Sequence, residues 1–595
     1  MARHVHLGIL FGLLALSVQG GASQALQTPF ELSGGNETPT YSETVSWCRD
    51  LAEASPVISY LEFGLSPRGR ALPLVVADRD GLADPGACRR GGDQVILLVQ
   101  ACIHAGESCG KDAGMLLLRD IAAGDGPARA LLDNVTLLFI PIFNVDGHER
   151  FGPYNRVNQN GPREMGWRTT AQNLNLNRDF LKADAPEMQA WLGLWNAWSP
   201  DFFIDVHSTD GADYQYAITY SLETHGNLDA GLTTLVQTYE DRMNRDMAAD
   251  GFPMIRYVSF RNWHDPRSGL QAWAADPRFS QGYAAVRNRP GLLIETHMLK
   301  DYANRVETTG LLVRHTMAWL NAHGGELRSA VEDADRATAS PGFRDRPFPL
   351  TFQRADSCRT IDFLGVAYET ATSEVTGGDY NRFGAEPEIW KVEYFDIVEP
   401  DRTVKLPAAY LVPPEWTAVL ERLRWHGARF RRLAAPVDLE VRTYRFGDAT
   451  WGRRPYEGRN TVEFEVAAGI ETLTFPAGSA VVSLAQPAAR AIAHLLEPEG
   501  PDSLARWGFF NAVFDRVEYV ESYVIEAMIP VMLADRPELA AELEAAKTAD
   551  PEWAKEPWNI RMWFYERTPY FDERAGLYPV GLLDDPTVLD TLPLD

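Results

Sequence analysis

The chain has 595 residues, of which 45% are hydrophobic and 23% are charged, and its formal net charge is -26. This length exceeds that of one ordinary domain and predicts at least two. An acidic surface of this size would repel the phosphates of nucleic acids and of anionic lipids, so the charge argues against both as general partners.

The first 25 residues have the layout of a cleavable secretory signal. A basic start, MARHVH, precedes the apolar stretch LGILFGLLALSV, and small residues then lead to Ala25. The apolar stretch is shorter than the roughly 20 residues that a membrane-spanning helix needs, and no comparable run follows. We therefore expect residues 1–25 to be a signal peptide and the mature protein to be secreted or periplasmic, without stable insertion into a membrane.

Strand-like and helix-like segments alternate between about residues 40 and 325. Short apolar runs predict buried strands at 94–103, 135–143, 201–206 and 291–295. Apolar residues at helical spacing predict helices at 111–122, 184–198, 227–249 and 308–323. This alternation predicts an α/β domain with a largely parallel or mixed sheet.

Polar residues follow each of the predicted strands. His104 and Glu107 come after the first strand, residues 144–147 after the second and His207 after the third, and Glu295 ends the fourth. In open α/β sheets, ligands bind beyond the carboxyl ends of the strands. The sequence therefore predicts that these side chains meet at one edge of the sheet.

The residue types at this edge suit a metal ion. Zinc in hydrolytic sites usually takes three protein ligands from histidine and carboxylate, which leaves one position for water. His104 and Glu107 can bind one ion from a single loop, and His207 can supply the third ligand. One histidine three residues before a glutamate is weak evidence by itself, and His264 and His297 are competing ligands that lack a nearby carboxylate.

Three further residue groups suit hydrolysis of an amide. A metal-activated water needs a base, and Glu295 can take its proton and return it to the leaving amine. Arg168 can stabilise a developing oxyanion, whereas Asn177 and Arg178 can hold a substrate carboxylate, which a guanidinium binds through two parallel hydrogen bonds. Each of these residues alone would more often be an ordinary surface or capping residue.

The segments IHAGE, FNVDGHERF, GWRTTAQNLNLNRDF, FFIDVHS and LLIETH, in this order, resemble the zinc carboxypeptidase family of the carboxypeptidase A type. The resemblance covers about residues 40–325 and implies a mixed, mainly parallel sheet between helices. It also implies one zinc ion per chain on His104, Glu107 and His207. Glu295 would then be the general base and acid, Arg168 the oxyanion residue, and Asn177 with Arg178 the carboxylate site.

The chain departs from the family pattern at two places. Ser208 and Thr209 follow the third ligand, where digestive members have a tyrosine two residues after it. A substrate-clamping tyrosine normally precedes the base, and Tyr283 is the best candidate for it. Residues 250–290 do not align clearly, so the resemblance does not predict the preferred terminal residue.

The remainder of the chain has a different character. Residues 325–345 are charged and rich in small residues, which indicates a connector, although part of it could extend the preceding helix. Alternating apolar and polar residues from 346 to about 480 predict antiparallel strands, and helical spacing predicts helices at 487–497, 502–532 and 536–547. We expect residues 346–595 to form a β-rich and then helical region, whose role the sequence does not indicate.

These observations favour a secreted, zinc-dependent carboxypeptidase acting on peptides with a free C-terminal carboxylate. One alternative is a zinc amidohydrolase acting on cell-wall peptides or acylated amino acids with the same metal and base. A second is an inactive peptidase-like protein that binds a polymer or a partner, but such a protein would be expected to lack a ligand or the base, and none is missing here.

Overall fold

A computed structural model describes residues 26–89, 93–124, 126–209, 211–515 and 517–595. The predicted signal peptide, residues 1–25, lies outside the described residues. The strands of the first half are β1 Ile58–Leu65, β2 Ala71–Ala77, β3 Val95–Gln100, β4 Val135–Ile140, β5 Phe202–Thr209, β6 Ile218–Leu222, β7 Met254–Arg256, β8 Phe260–Asn262, β9 Asp265–Gln271 and β10 Gly291–His297. The main helices are α1 Tyr41–Ala54, α2 Cys109–Ala122, α3 Pro186–Trp198, α4 Ala230–Ala249, α5 Ser280–Val286 and α6 Tyr302–Thr338.

Eight of these strands form one sheet in the order β1-β2-β4-β3-β5-β10-β6-β7. The neighbours β4-β3, β3-β5, β5-β10 and β6-β7 run parallel, whereas β1-β2, β2-β4 and β10-β6 run antiparallel. The predicted α/β fold with a mixed, mainly parallel sheet flanked by helices is therefore confirmed.

Alternating side chains of the central strands enter different cores. On β3, Val95, Leu97 and Val99 pack with α1, α2, α4 and α6 on one face of the sheet. Ile96 and Leu98 point to the other face, where they pack with α3 and with apolar residues of the C-terminal region. Because helices or further chain cover both faces, these strands are mostly apolar and do not alternate between apolar and polar residues.

The connector predicted after residue 324 is helical. Helix α6 continues through that point and ends at Thr338, which confirms the alternative that the helix is extended. Gly324 lies where a Cβ atom would be 2.3 Å from the carbonyl oxygen of Asp93, so the glycine permits close packing rather than ending the helix.

The C-terminal region is built from two larger sheets. The long strands β13 Arg359–Thr372 and β14 Asp379–Phe395 form a hairpin, and β14 pairs in parallel with β9, so this four-stranded sheet includes strands from both halves of the chain. A six-stranded antiparallel sheet has the order β18-β21-β17-β22-β19-β20. Its strands are β17 Ala409–Val412, β18 Arg431–Arg432, β19 Val437–Trp451, β20 Val462–Phe475, β21 Ala480–Ser483 and β22 Gly581–Leu583. The short strands β11 Phe348–Pro349, β12 Phe352–Arg354, β15 Val398–Pro400 and β16 Thr403–Val404 form two small pairs.

Five helices accompany these strands: α7 Thr417–Trp425, α8 Ala489–Leu496, α9 Ser522–Asp535, α10 Glu538–Ala549 and α11 Pro557–Tyr565. The predicted helix at 502–532 is largely wrong, because turns and one 3-10 helix, Asn511–Phe514, precede α9. Asp502 is buried there against residues of the first half rather than lying on a helix surface. Within the described ranges, no helix combines the length and apolar character needed to cross a bilayer.

Candidate active site

The carboxyl ends of β3, β5 and β10 meet at a cleft of about 460 Å³. Every described residue that lines this cleft belongs to the first half of the chain. The lining includes all the predicted site residues except Tyr283: His104, Glu107, Arg168, Asn177, Arg178, His207 and Glu295. The predicted convergence is thus present for three of the four strand ends. Residues 144–147 after β4 do not line the cleft, because Asn144 donates to the carbonyl of Arg168 and Asp146 pairs with Arg70.

The loop after β3 places two of the predicted ligands. Backbone N–H of Glu107 donates to the carbonyl of His104 at 2.9 Å, which forms a tight turn. Gly106 lies within this turn, where a Cβ atom would be 2.7 Å from the carbonyl oxygen of Gly166. The glycine therefore lets the loop lie against the neighbouring chain while His104 and Glu107 face the same point.

His104, Glu107 and His207 are buried and their ligand atoms converge. Nδ1 of His104 lies 3.1 Å from Oε1 of Glu107, Nδ1 of His207 lies 3.2 Å from Oε2, and the two Nδ1 atoms are 3.2 Å apart. Ligand atoms bound tetrahedrally to one zinc ion lie about 3.3 to 3.6 Å from each other. The three side chains therefore form a group of the right chemistry and size for one zinc ion.

The outer nitrogen of each histidine has its own acceptor. Nε2 of His104 lies 3.0 Å from Oδ1 of Asn175, and Nε2 of His207 lies 2.8 Å from Oδ2 of Asp205. These acceptors hold a proton on Nε2 of each ring, which turns the two Nδ1 atoms toward the centre of the group. Asn175 and Asp205 thus orient the two imidazoles for metal binding.

The electrostatics of the group keep Glu107 ionised. Burial alone would raise the pKa of the Glu107 carboxyl, but His104 and Arg156 hold it well below its usual value. Arg156 contributes an ion pair of 2.8 Å, and the backbone N–H of Ser208 donates to Oε2 at 3.0 Å. Burial lowers the pKa of His104 to about 4, which favours the neutral ring that a metal ligand requires.

Glu295 lies beside the third ligand because of the strand register. β10 pairs in parallel with β5 so that Glu295 is directly opposite His207, and both side chains leave the same face of the sheet. Burial raises the pKa of Glu295 to about 8, and the charges of Glu107 and Asp205 act in the same direction. A carboxyl with a raised pKa binds protons more readily, which suits an acid and base group.

Arg168, Asn177 and Arg178 form other parts of the cleft wall. The guanidinium of Arg168 is 3.7 Å from Oε1 of Glu107 and its side chain is 41% exposed, so it can reach a ligand in the cleft. Arg178 stacks its guanidinium on the ring of Phe279 at 4.4 Å and donates to the carbonyl of Asn177 at 2.7 Å. This wall therefore presents positive charge to an anionic ligand.

Tyr283 lies elsewhere, and its assignment as the substrate-clamping residue is wrong for this structure. It is fully buried on α5, where its hydroxyl lies 2.9 Å from Nδ1 of His426, and its ring packs beside Trp191. A side chain without exposed surface cannot contact a substrate. Among the described residues, the tyrosine that lines the cleft is Tyr257, from the part of the sequence that did not align.

Two competing histidines also lie outside the metal group. His297 pairs with Asp213 at 3.3 Å, and His264 lies on an exposed turn between β8 and β9. Sequence reasoning missed several residues that line the cleft or orient its ligands. These are Asn155, Arg156, Asn158, Asn175, Asp205, Tyr257, Trp273, Phe279 and Gln281. Asn175, Asp205 and Gln281 each lie two residues from a predicted site residue, which is the signal that could have found them.

Comparisons with known proteins agree with this geometry. Residues 44–289 match the sequence profile of a family described as zinc carboxypeptidase. Carboxypeptidase 2 of Trichophyton rubrum is 25% identical over 451 residues, which cover 73% of this chain and 77% of that protein. Probable carboxypeptidase 2 of Trichophyton verrucosum is 24% identical over 455 residues, which cover 73% and 81% of the two chains.

A match to 73% of this chain is longer than residues 40–325 can provide, so the likeness to the fungal proteins extends into the C-terminal region. Solved structures with a similar fold include a metallo-carboxypeptidase from Burkholderia cenocepacia, 17% identical, with a TM-score of 0.36 over 48% of this chain and 70% of that chain. Carboxypeptidase A from Helicoverpa armigera is 16% identical, with a TM-score of 0.35 over 50% of this chain and 74% of that chain.

Proposed function

We propose that the protein is a metallocarboxypeptidase that removes C-terminal residues from peptides, with Glu295 as general base. The match of residues 44–289 to the zinc carboxypeptidase family and the likeness to fungal carboxypeptidases support this proposal. The observation that carries this proposal is the convergence of two histidine Nδ1 atoms and one carboxylate within hydrogen-bonding distance of each other, with Glu295 on the adjacent strand.

The metal that fits this group is zinc, one ion per chain. Two imidazoles and a carboxylate are a ligand set found in catalytic zinc sites, and Asn175 and Asp205 supply the outer hydrogen bonds that such ligands need. When bound, zinc would act as a Lewis acid that polarises a carbonyl and makes water more acidic.

Side chains of this protein carry out the remaining steps of the reaction. Glu295 accepts a proton from the attacking water and returns it to the leaving amine, which its raised pKa supports. Arg168 places a positive charge where the carbonyl oxygen becomes negative. Asn177 and Arg178 bind the terminal carboxylate of the substrate, which sets the cleavage point one residue from the end.

We also propose that the protein acts outside the cytoplasm. The basic start, the apolar stretch and the small residues before Ala25 support export. The net charge of -26 suits an enzyme that remains soluble without binding nucleic acid.

A pair of matched peptides tests the specificity for a free C terminus. The two peptides share one sequence, and one of them has an amidated C terminus. Loss of a charge-assisted hydrogen bond to Arg178 predicts that kcat/KM for the amidated peptide is about 100-fold lower. Arg178→Gln should remove most of this difference by slowing cleavage of the free peptide.

Equal cleavage of both peptides by the wild-type protein would overturn the exopeptidase proposal and favour the zinc amidohydrolase instead. Binding of the free peptide without any cleavage, in a protein shown to hold zinc, would favour the inactive binding protein.

A further inference from the structure

Side chains of the C-terminal region contact two chain segments of the cleft wall, on the side that faces away from the cleft. We name these the first wall segment, residues 174–184, and the second wall segment, residues 276–283. The first carries Asn177 and Arg178, and the second carries Phe279. The described residues of the C-terminal region do not line the cleft, so any influence on it must pass through these two segments.

The turn between β19 and β20 contacts the first wall segment at both ends. Oε2 of Glu457 accepts a hydrogen bond from the backbone N–H of Asn175 at 3.1 Å. Arg459 pairs with both carboxylate oxygens of Asp184 at 2.6 Å, and Arg422 also donates to Asp184 at 2.9 Å. Such two-point ion pairs fix orientation as well as distance.

Asn175 connects the hydrogen bond with Glu457 to the metal group. Its Oδ1 atom lies 3.0 Å from Nε2 of His104 and 3.0 Å from the backbone N of Asn177. One amide oxygen therefore orients a predicted metal ligand and a predicted carboxylate-binding residue at once. A shift of the Asn175 backbone would disturb both.

The second wall segment is held in a similar way. Asp502 accepts from the backbone N–H of Arg278 at 2.8 Å and forms an ion pair with its Nε at 2.7 Å. The next residue, Phe279, carries the stacked guanidinium of Arg178. Both wall segments thus have a buried or part-buried acidic partner in the C-terminal region.

The backbone at Glu457 is also unusual. Its φ angle is +49°, a left-handed conformation that a non-glycine residue adopts at a cost in stability. A glycine would fit this turn more readily, as Gly458 with φ of +80° does beside it. The strained backbone of Glu457 therefore coincides with a carboxylate that reaches the cleft wall.

We propose that Glu457 is a positioning residue of the active site, which holds Asn175 so that His104 is oriented for the metal and Asn177 for the substrate carboxylate. This inference rests on the proposed function. It assigns to the C-terminal region a role in setting metal affinity and substrate affinity, rather than in the chemical step.

Two substitutions in the full-length protein remove the contact. Glu457→Gly deletes the carboxylate and relaxes the backbone, whereas Glu457→Asn tolerates the left-handed conformation but is one methylene too short to reach. Glu457→Gln keeps an oxygen that can accept from Asn175 and serves as the conservative variant. Asp448→Gly is the matched control, because Asp448 is another acidic residue with positive φ, +47°, on the same hairpin.

The measurements are the zinc dissociation constant by chelator competition, and KM and kcat with a free peptide. Loss of an outer hydrogen bond near a metal ligand typically weakens metal binding about 10- to 100-fold. Because Glu457 acts through Asn175, we expect the lower end of this range, about 10-fold, in Glu457→Gly and Glu457→Asn. KM should rise by a similar factor with kcat within about twofold of wild type, and Glu457→Gln and Asp448→Gly should match wild type.

Wild-type zinc affinity and KM in both Glu457→Gly and Glu457→Asn would overturn the positioning role while leaving the proposed function intact. A wild-type protein that binds no zinc would instead overturn the proposed function, and this inference with it. Equal loss in Glu457→Gly and Asp448→Gly would indicate a general effect on the hairpin and would also contradict the inference.

Discussion

The two halves of this chain use polar residues in different ways. In the first half, polar residues at or just beyond the carboxyl ends of β3, β5 and β10 point into an open cleft. In the C-terminal region, the side chains that reach toward the cleft end in hydrogen bonds and ion pairs with its wall, as Glu457, Arg459 and Asp502 do. The polar side chains of the first half are available to bind a ligand. Those of the C-terminal region hold other residues in position.

Residues of the first kind are easier to recognise in a sequence than residues of the second kind. A histidine or glutamate at the end of an apolar strand is easily recognised, because most of the residues before it are apolar. Asp502 and Glu457 have no such context and resemble ordinary surface residues until the fold brings them to the cleft wall. The comparison predicts that substitutions in the first half change chemistry, whereas those in the C-terminal region change positioning or stability.

The largest effect is expected for Glu295→Gln. This change keeps the size of the side chain but removes its ability to accept the proton of water, so kcat should fall by about 10²- to 10⁴-fold. Zinc content should stay at one ion per chain, since Glu295 is not a ligand. Steady-state kinetics with a free peptide and metal analysis of the same sample check both expectations.

Glu187→Gln is the matched control for that variant, because Glu187 is a fully buried glutamate outside the cleft. It should keep wild-type kcat. Wild-type turnover by Glu295→Gln would show that another group is the base and would remove the main distinction between the two halves.

A smaller effect, on stability alone, is expected for Glu497→Gln in the C-terminal region. Glu497 is buried and accepts hydrogen bonds from Tyr410 at 2.6 Å and from Tyr444 at 3.1 Å. Burial raises its pKa from 4.5 to about 7. Since the folded state binds this proton more tightly than the unfolded state, the contribution to stability is complete below about pH 4.5 and is lost as pH rises to about 7.

The pKa shift of Glu497 corresponds to at most about 3 kcal/mol in the free energy of unfolding. Glu497→Gln should therefore gain thermal stability relative to wild type between pH 5 and pH 7.5, with kcat and KM unchanged at each pH. Melting temperatures across this range test the point, with Glu499→Gln as the neighbouring control. A difference between variant and wild type that does not change with pH would contradict the role given to Glu497.

Much of the first half could be predicted from the sequence, because local signals and fold agree there. The strands are recognisable as apolar runs, and the polar residues at their carboxyl ends meet as expected, with Glu295 opposite His207. The prediction of Tyr283 failed because the local sequence around a tyrosine does not show whether its hydroxyl contacts a substrate or a buried residue such as His426. Arg156 and Tyr257 were missed because they lie in parts of the chain without a regular pattern.

The C-terminal region was predictable only in outline. The alternation of apolar and polar residues indicated its long hairpins, but no local sequence pattern showed that β14 would pair with β9 of the first half. The helix predicted at 502–532 was largely wrong because tertiary contacts decide that segment, in which Asp502 is buried beside Arg278. Long-range pairing of this kind depends on residues that are hundreds of positions apart.

Metal removal and replacement would show whether hydrolysis depends on a zinc ion held by His104, Glu107 and His207. Metal analysis of the purified wild-type protein should give one zinc ion per chain, and removal by a chelator should abolish hydrolysis of a free peptide. Addition of zinc should restore activity to wild type but not to His207→Ala, which lacks one of the three converging ligands. Undiminished hydrolysis after complete removal of the metal would contradict the proposed metal-dependent mechanism.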